Sequence, residues 1–550
     1  MPISDSNAEG KGKILDSLNE ACLRCLRTVF QHTAAPVHSI YQDPALVPRL
    51  LSLASRSVTC QVCVATILTT ACKTAEEQNA LSKGGAVETL AMQLDSPLAD
   101  VQLPALACLA NMCYQNHMVS AMVAAATTSN TLRGKLVPVA LGQLMGRERS
   151  SLVQLEAARC IAYMHRAGAL PSTDPRVVYR ALPCLVRLCH RDRPPRERIA
   201  AAETLAYLTE VDTDLQRLAS ISNHLIPTLA ELLRPHSQVQ DATLTQDMRQ
   251  AAFRAFASLG ANDEDIRKRI IETESLMEQV VSGLQDPGGP RVRLAAVRCL
   301  HSLSRSVQQL RTTFQDHAVW RPLMQLLHGA DKGLEGRTES EDDLLTVASS
   351  TLCNLLLEFS PSKEPILESG GVELLCSLTK RPDPALRLNG IWALMNVAFQ
   401  AEQRVKSQIL SCLGTDQIFR LLADPELAVL MKTLVILVLE DPEHPADVKE
   451  QALCILANVA DGDRARDHIM ANEDVLKKLM DYMMHSNVKL QVAAIFCVCN
   501  LVWREEPGAA QRQARLKELG LYRILQQLRH TKDSQLFDKV KTAMAQFYDA

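Results

Sequence analysis

Two cysteine pairs, Cys22 with Cys25 and Cys60 with Cys63, have the spacing of half a zinc site. Zinc modules set such pairs on knuckle turns rich in glycine and aromatic residues. Both pairs here fall inside apolar runs of helical character, which points to core packing rather than metal. Cys497 and Cys499 fall on different helix faces and make no site. Cys25, Cys108, Cys160, Cys299 and Cys497 each stand three residues before a recurring marker position, in helices otherwise filled with Ala and Leu. A thiol in such a slot is expected to act as a small buried hydrophobe. There is no GxSxG, Walker A, HExxH or glycine-rich dinucleotide pattern. The acidic stretch ANDEDIRKRIIETE (261–274) reads as a helix start capped by Asn262 and Asp263, a partner contact being the other reading. These residues imply no enzyme, no metal and no cofactor.

Asparagine is the residue whose repetition needs a reason. Asn354, Asn396, Asn458 and Asn500 each sit inside an apolar run: TLCNLLLEF, IWALMNVAF, CILANVADG and CVCNLVWRE. Asparagine is a mediocre helix former. On an inner surface each amide could grip the backbone of an extended peptide through one donor and one acceptor. Trp392, one turn before Asn396, and Trp503, three residues after Asn500, would add apolar walls. Alternatively, each amide bridges to the backbone of a neighbouring repeat and holds the stack together. The peptide reading makes Asn354, Trp392, Asn396, Asn458, Asn500 and Trp503 the candidate site. Tyr163, Tyr207, Ser258 and Ser302 replace asparagine in the middle of the chain, so a peptide groove is expected in the C-terminal part.

The elements that must position these residues follow from the spacing. The four asparagines are 42, 62 and 42 residues apart. A repeat near 42 residues falls in the armadillo/HEAT range, where each unit is two or three helices that bury their faces only by stacking. Weaker copies put markers at Thr28, Thr69, Asn111, Tyr163, Tyr207, Ser258 and Ser302 upstream and at Gln546 downstream. The stretches 84–115 and 370–400 match best. In the second, Gly370 and Gly371 end a first helix, VELLCSLTK is a second, and ALRLNGIWALMNVAFQ is a longer third. The fold class is thus all-α: an armadillo/HEAT-type right-handed superhelical solenoid of about 11–12 repeats.

Polar insertions at 129–135, 234–248 and 329–343 read as loops, the last of them mobile. Residues 1–17 read as a polar, disordered leader running into the LNEACLRCLRTVF helix. A register break lies near 423–451, where the 62-residue interval is one repeat plus about half of another.

Composition agrees. Apolar residues make up 47% of the chain and aromatics 4%, and net charge is −3 with a pI near 6.5. No global field calls for nucleic acid or an anionic membrane. No apolar run reaches the ~18–20 residues of a membrane span. The N-terminal stretch lacks the apolar core of a secretory signal. An intracellular protein, cytoplasmic and nuclear, with its 17 cysteines reduced, is the expectation.

Several stretches carry a more specific likeness: EACLRCLRTVF (20–30), SLGANDEDIRKRIIETE (258–274), LLEFSPSKEPILESG (356–370) and NGIWALMNVAFQAEQ (389–403). From about residue 18 the chain resembles the armadillo repeat-containing protein 8 family, including whole loops such as SPSKEP. The resemblance implies a non-catalytic scaffold of the CTLH complex, a GID-type ubiquitin ligase acting in proteasomal degradation. Residues 18–310 would then dock on the core scaffold subunits, and residues 311–550 would hold the substrate receptor in a concave groove. Partners would be protein only, with no nucleic acid and no membrane insertion. Against that family the chain lacks N-terminal repeats and about half a repeat after Leu434. The alternative is a catenin-like peptide-binding adaptor in adhesion or endosomal sorting, which a basic groove face would favour.

Overall fold

Helices fill the chain in a recurring short–short–long order. The computed structural model describes residues 5–129, 133–222, 224–234, 241–306, 314, 318–329, 339–357, 359–398, 401–413, 417, 421, 450, 453–454, 456–457, 460, 463–471 and 473–547. Among them there is no strand, only an isolated bridge between Thr127 and Leu136. Apart from residue 450, the register break near 423–451 lies outside the described residues, as do Asn458 and most of the 329–343 insertion.

The long helix of each repeat carries the marker, and these helices are numbered in chain order. They are α1 (Asp5–Phe30), α2 (Val58–Thr70), α3 (Ala99–Cys113), α4 (Ser151–Arg166), α5 (Pro195–Thr209), α6 (Ala242–Leu259) and α7 (Pro290–Leu303). Then follow α8 (Glu339–Leu355), α9 (Pro384–Ala398), α10 (Val488–Leu501) and α11 (Ser534–Gln546). The chain divides into two compact units, Met1–Leu303 and Ser304–Ala550. In the first unit α1 to α7 pack side by side in sequence order; in the second, α8 packs on α9 and α10 on α11.

Two copies of one repeat show the local logic. Ala75–Lys83, Ala86–Gln93 and α3 form one; Lys363–Glu368, Gly371–Leu378 and α9 form the other. Gly85 and Gly370 join the first two helices of each in the left-handed region, at φ 91 and 82°, where a side chain is strained. Thr74 starts its repeat with a capping box: its Oγ accepts from the Glu77 N–H while a Glu77 carboxylate oxygen accepts from the Thr74 N–H. Asp263 likewise caps the Glu264–Ile271 helix by accepting from the Ile266 N–H at 3.1 Å.

Leu, Ala, Val and Cys supply the core, with Cys108, Cys160, Cys299 and Cys497 fully buried. Cys25 is a correction to the buried-slot reading. It is exposed, as is Cys22: α1 packs on α2, and on α1 Leu23 and Phe30 are buried while both thiols stay outside. Only Cys60 and Cys63 of the two CxxC pairs lie in the core.

The insertion at 234–248 is shorter than its polarity suggested. Asp241 accepts from the N–H groups of Thr243 and Leu244 and starts α6 at Ala242, so half the polar stretch is helix. At 129–135 the loop is closed by Thr128 N–H donating to the Lys135 carbonyl at 2.9 Å. Helix α1 reaches back to Asp5, into the segment read as a leader.

Candidate functional site

In several repeats the marker side chain donates to a backbone carbonyl at or beside the preceding marker; the last C=O groups of an α-helix have no partner within it. Ser258 Oγ donates to the Ala206 carbonyl at 2.7 Å and Ser302 Oγ to the Ala257 carbonyl at 2.9 Å. Asn396 Nδ2 donates to the Cys353 carbonyl at 3.0 Å and Asn500 Nδ2 to the Ala457 carbonyl at 2.7 Å. All four acceptors are the residue immediately before the preceding marker. Asn111 reaches one residue further, with Nδ2 3.1 Å from the Thr69 carbonyl oxygen. Asn354 Nδ2 meets the Ser304 hydroxyl at 3.0 Å. Every described ladder asparagine thus spends an N–H across a repeat boundary; Asn354, Asn396 and Asn500 still carry a second N–H and an Oδ1, while the Asn111 Oδ1 accepts from Arg159.

Beside the asparagines, Trp392 is 42% and Trp503 38% exposed, well above core level. They stand on different repeats, and no ring contact joins them. Phe496 occupies on α10 the register that Trp392 occupies on α9, four residues before the asparagine, and the Lys539 ammonium of α11 lies 4.5 Å from its ring centroid. Among the described residues no group of His, Cys, Asp and Glu side chains could hold a metal ion. No described helix is long and apolar enough to cross a membrane.

The first unit holds a cluster that the marker pattern only half announced. Tyr163 and Tyr207 are markers one repeat apart, and the stack brings their rings to 5.3 Å between centroids, edge to face. Tyr114, three residues beyond the marker Asn111, completes a triangle at 5.1 and 5.5 Å. Two arginines frame it. Arg159 donates to Glu156 at 2.6 Å and to the Asn111 Oδ1 at 3.2 Å, with its guanidinium 5.7 Å from the Tyr163 centroid. Arg166 lies 4.2 Å from the Tyr207 centroid and donates to the Tyr207 carbonyl and to Glu210. Burial pushes the Tyr163 and Tyr207 phenols up, and the neighbouring arginines pull them back. Tyr114 is 39% exposed and faces solvent. The available signal was an aromatic residue at the marker position of consecutive repeats.

With this geometry in view, the relatives are informative. No family model matches the chain. It is 50% identical to armadillo repeat-containing protein 8 of Danio rerio, over 96% of this chain and 82% of that one, and 49% identical to the Mus musculus protein over the same shares. The GID complex subunit 5 of Schizosaccharomyces pombe is 24% identical over 53% of this chain and 38% of its own length. Among solved structures, an engineered protein superposes with TM-score 0.61 at 20% identity, covering 84% of this chain and 99% of that one. A structure from work on a phosphorylation switch between cadherin and β-catenin superposes with TM-score 0.59 at 13% identity, covering 95% and 100%. At such identities the two structures speak to the fold alone, and they agree with the armadillo-type assignment.

Proposed function

The chain belongs to the armadillo repeat-containing protein 8 family, and from that premise we propose that it is a non-catalytic scaffold subunit of a GID-type (CTLH) ubiquitin ligase. The observation that supports this most strongly is the family identity over 96% of the chain, with the GID complex subunit 5 of fission yeast as a more distant relative. The chain links a substrate receptor to the LisH–CTLH core subunits, in the cytoplasm and nucleus, for ubiquitin-dependent degradation of the receptor's cargo.

The receptor segment lies along the long-helix face of the second unit. Trp392 and Trp503 supply exposed apolar walls there. The amides of Asn354, Asn396, Asn458 and Asn500 offer the ligand backbone a donor and an acceptor, those of Asn354, Asn396 and Asn500 with one N–H already committed to the stack. The binding face is therefore held rigid by the same residues that touch the ligand, which lowers the ordering cost of association. Co-expression with the receptor and the core subunits, followed by size-exclusion chromatography, tests the reading. One co-eluting assembly supports it. Elution of the chain apart from both partners refutes it.

A further inference from the structure

We propose a second binding surface, on the first unit, for an extended acidic peptide segment of a partner protein, with the Tyr114–Tyr163–Tyr207 cluster as its apolar anchor. It is separate from the C-terminal receptor groove and does not depend on it.

The argument starts from register. On α4 to α7 the positions four residues before the marker are Arg159, Glu203, Arg254 and Arg298; eleven before the marker stand Leu152, Arg196, Asp247 and Arg291. Positions seven residues apart lie on one face of a helix, and ion pairs join that face between neighbouring helices: Arg254 reaches Glu203 at 3.8 Å and Arg291 reaches Asp247 at 3.5 Å. Three residues beyond the markers of α4 and α5, Arg166 reaches Glu210 at 2.8 Å. Arg196, Arg254, Arg291 and Arg298 are all exposed. At both register positions arginine outnumbers carboxylate, so this face is locally basic on a chain whose net charge is −3.

The same pattern selects among anions. Glu156, Glu203, Glu210 and Asp247 interleave with the arginines, so a continuous phosphate backbone meets repulsion at three of the four repeats. A peptide with spaced carboxylates can address the arginines singly. The tyrosine rings, packed on one another at 5.1–5.5 Å, leave no slots for successive stacked bases. They do leave one exposed ring, Tyr114, backed by two others and flanked by guanidinium groups. That is a rigid, amphipathic anchor of the kind enriched at binding hot spots. Helix axes about 8–10 Å apart make the face from α4 to α7 roughly 30 Å long, the span of about nine extended residues.

The test uses the full chain and a fluorescein-labelled peptide of about that length, Glu alternating with Ser around a central Phe, read by fluorescence anisotropy. The surface predicts saturable binding about tenfold tighter than that of the same peptide with Gln for Glu. Binding should weaken about tenfold in Arg254→Ser/Arg298→Ser and several-fold in Tyr114→Ser, and should be unchanged in Trp392→Ala. Melting curves confirm that each variant is folded, and the arginine variant carries the test if Tyr114→Ser is not. Equal affinity for the Gln peptide, absence of saturable binding, tighter binding of a single-stranded oligonucleotide of equal length, or loss of binding in Trp392→Ala would each overturn the proposal. Because Trp392 belongs to the receptor face and Tyr114 does not, failure here leaves the scaffold reading intact.

Discussion

Asn500 Nδ2 lies 2.7 Å from the carbonyl oxygen of Ala457, one repeat earlier in the chain. Ser258 and Ser302 make the same bond with a hydroxyl. At these three positions the bond needs a donor able to reach the preceding repeat rather than asparagine as such. This separates two roles that one residue type had merged.

Asn500→Ala should lower stability by about 1–2 kcal/mol, because the Ala457 carbonyl then lacks its donor. Asn500→Ser should recover most of that loss while still removing the amide from the proposed receptor face. Thermal melting together with receptor capture checks both. Equal destabilisation by Ala and Ser would show that the hydroxyl cannot replace the amide in this repeat.

The wall residues make a separate prediction. Trp392→Ala and Trp503→Ala remove rings that are 42% and 38% exposed, so each should cost stability little. Receptor affinity should fall by about tenfold or more if the rings are anchors. Titration of purified receptor against each variant measures it, and unchanged affinity would place the receptor elsewhere.

Much of this architecture could be read from the residues themselves, and the limits have physical causes. The long helices follow from apolar spacing around Asn354, Asn396 and Asn500, and the Asp263 cap from a carboxylate placed just before a helical run. Polarity misled at 241–248, where Asp241 turns a polar stretch into the first turns of α6. The destination of each amide N–H could not be read, since both candidate partners were compatible with one spacing. Tyr114 was missed because it lies three residues off the marker, and only the stack carries its ring to Tyr163 and Tyr207. Cys22 and Cys25 look like core in sequence because exposure depends on which face of α1 meets α2, not on the helix's own composition.

Thiol chemistry should follow burial. Cys22 and Cys25, both exposed, should be alkylated by a bulky maleimide in the native protein. Cys108, Cys160, Cys299 and Cys497 should react only after unfolding. Peptide mass spectrometry of labelled protein reads the outcome, and native labelling of Cys299 would contradict the packing described.

Those buried thiols also set an alkaline limit. Burial pushes Cys299, Cys353 and Cys376 up to about 12 from a usual value of 9.0. Between the two values the folded chain holds protons that the unfolded chain has lost. Stability from this source is complete below the unfolded value and drains away as pH rises through the folded one. The melting temperature should therefore be lower at a pH of about 10.5 than at about 8; a flat profile would contradict it.

Arg466 is 1% exposed and donates to Glu506 at 2.7 Å, tying the helix Asp463–Ala471 to the segment after α10. Glu506→Ala leaves a buried guanidinium short of its carboxylate and should cost about 2 kcal/mol, less than a fully buried pair because Glu506 is 34% exposed. Denaturant unfolding measures the loss, and a change below about 0.5 kcal/mol would show that solvent replaces the carboxylate.

In the proposed role this chain joins a substrate receptor to a ligase core without chemistry of its own. Size-exclusion chromatography of the co-expressed chain, receptor and LisH–CTLH core subunits addresses it most directly, with Trp392→Ala/Trp503→Ala as the internal comparison. One co-eluting assembly is expected, from which the double variant loses the receptor but keeps the core. Co-elution of receptor and core without the chain, or a double variant indistinguishable from the parent, would contradict it.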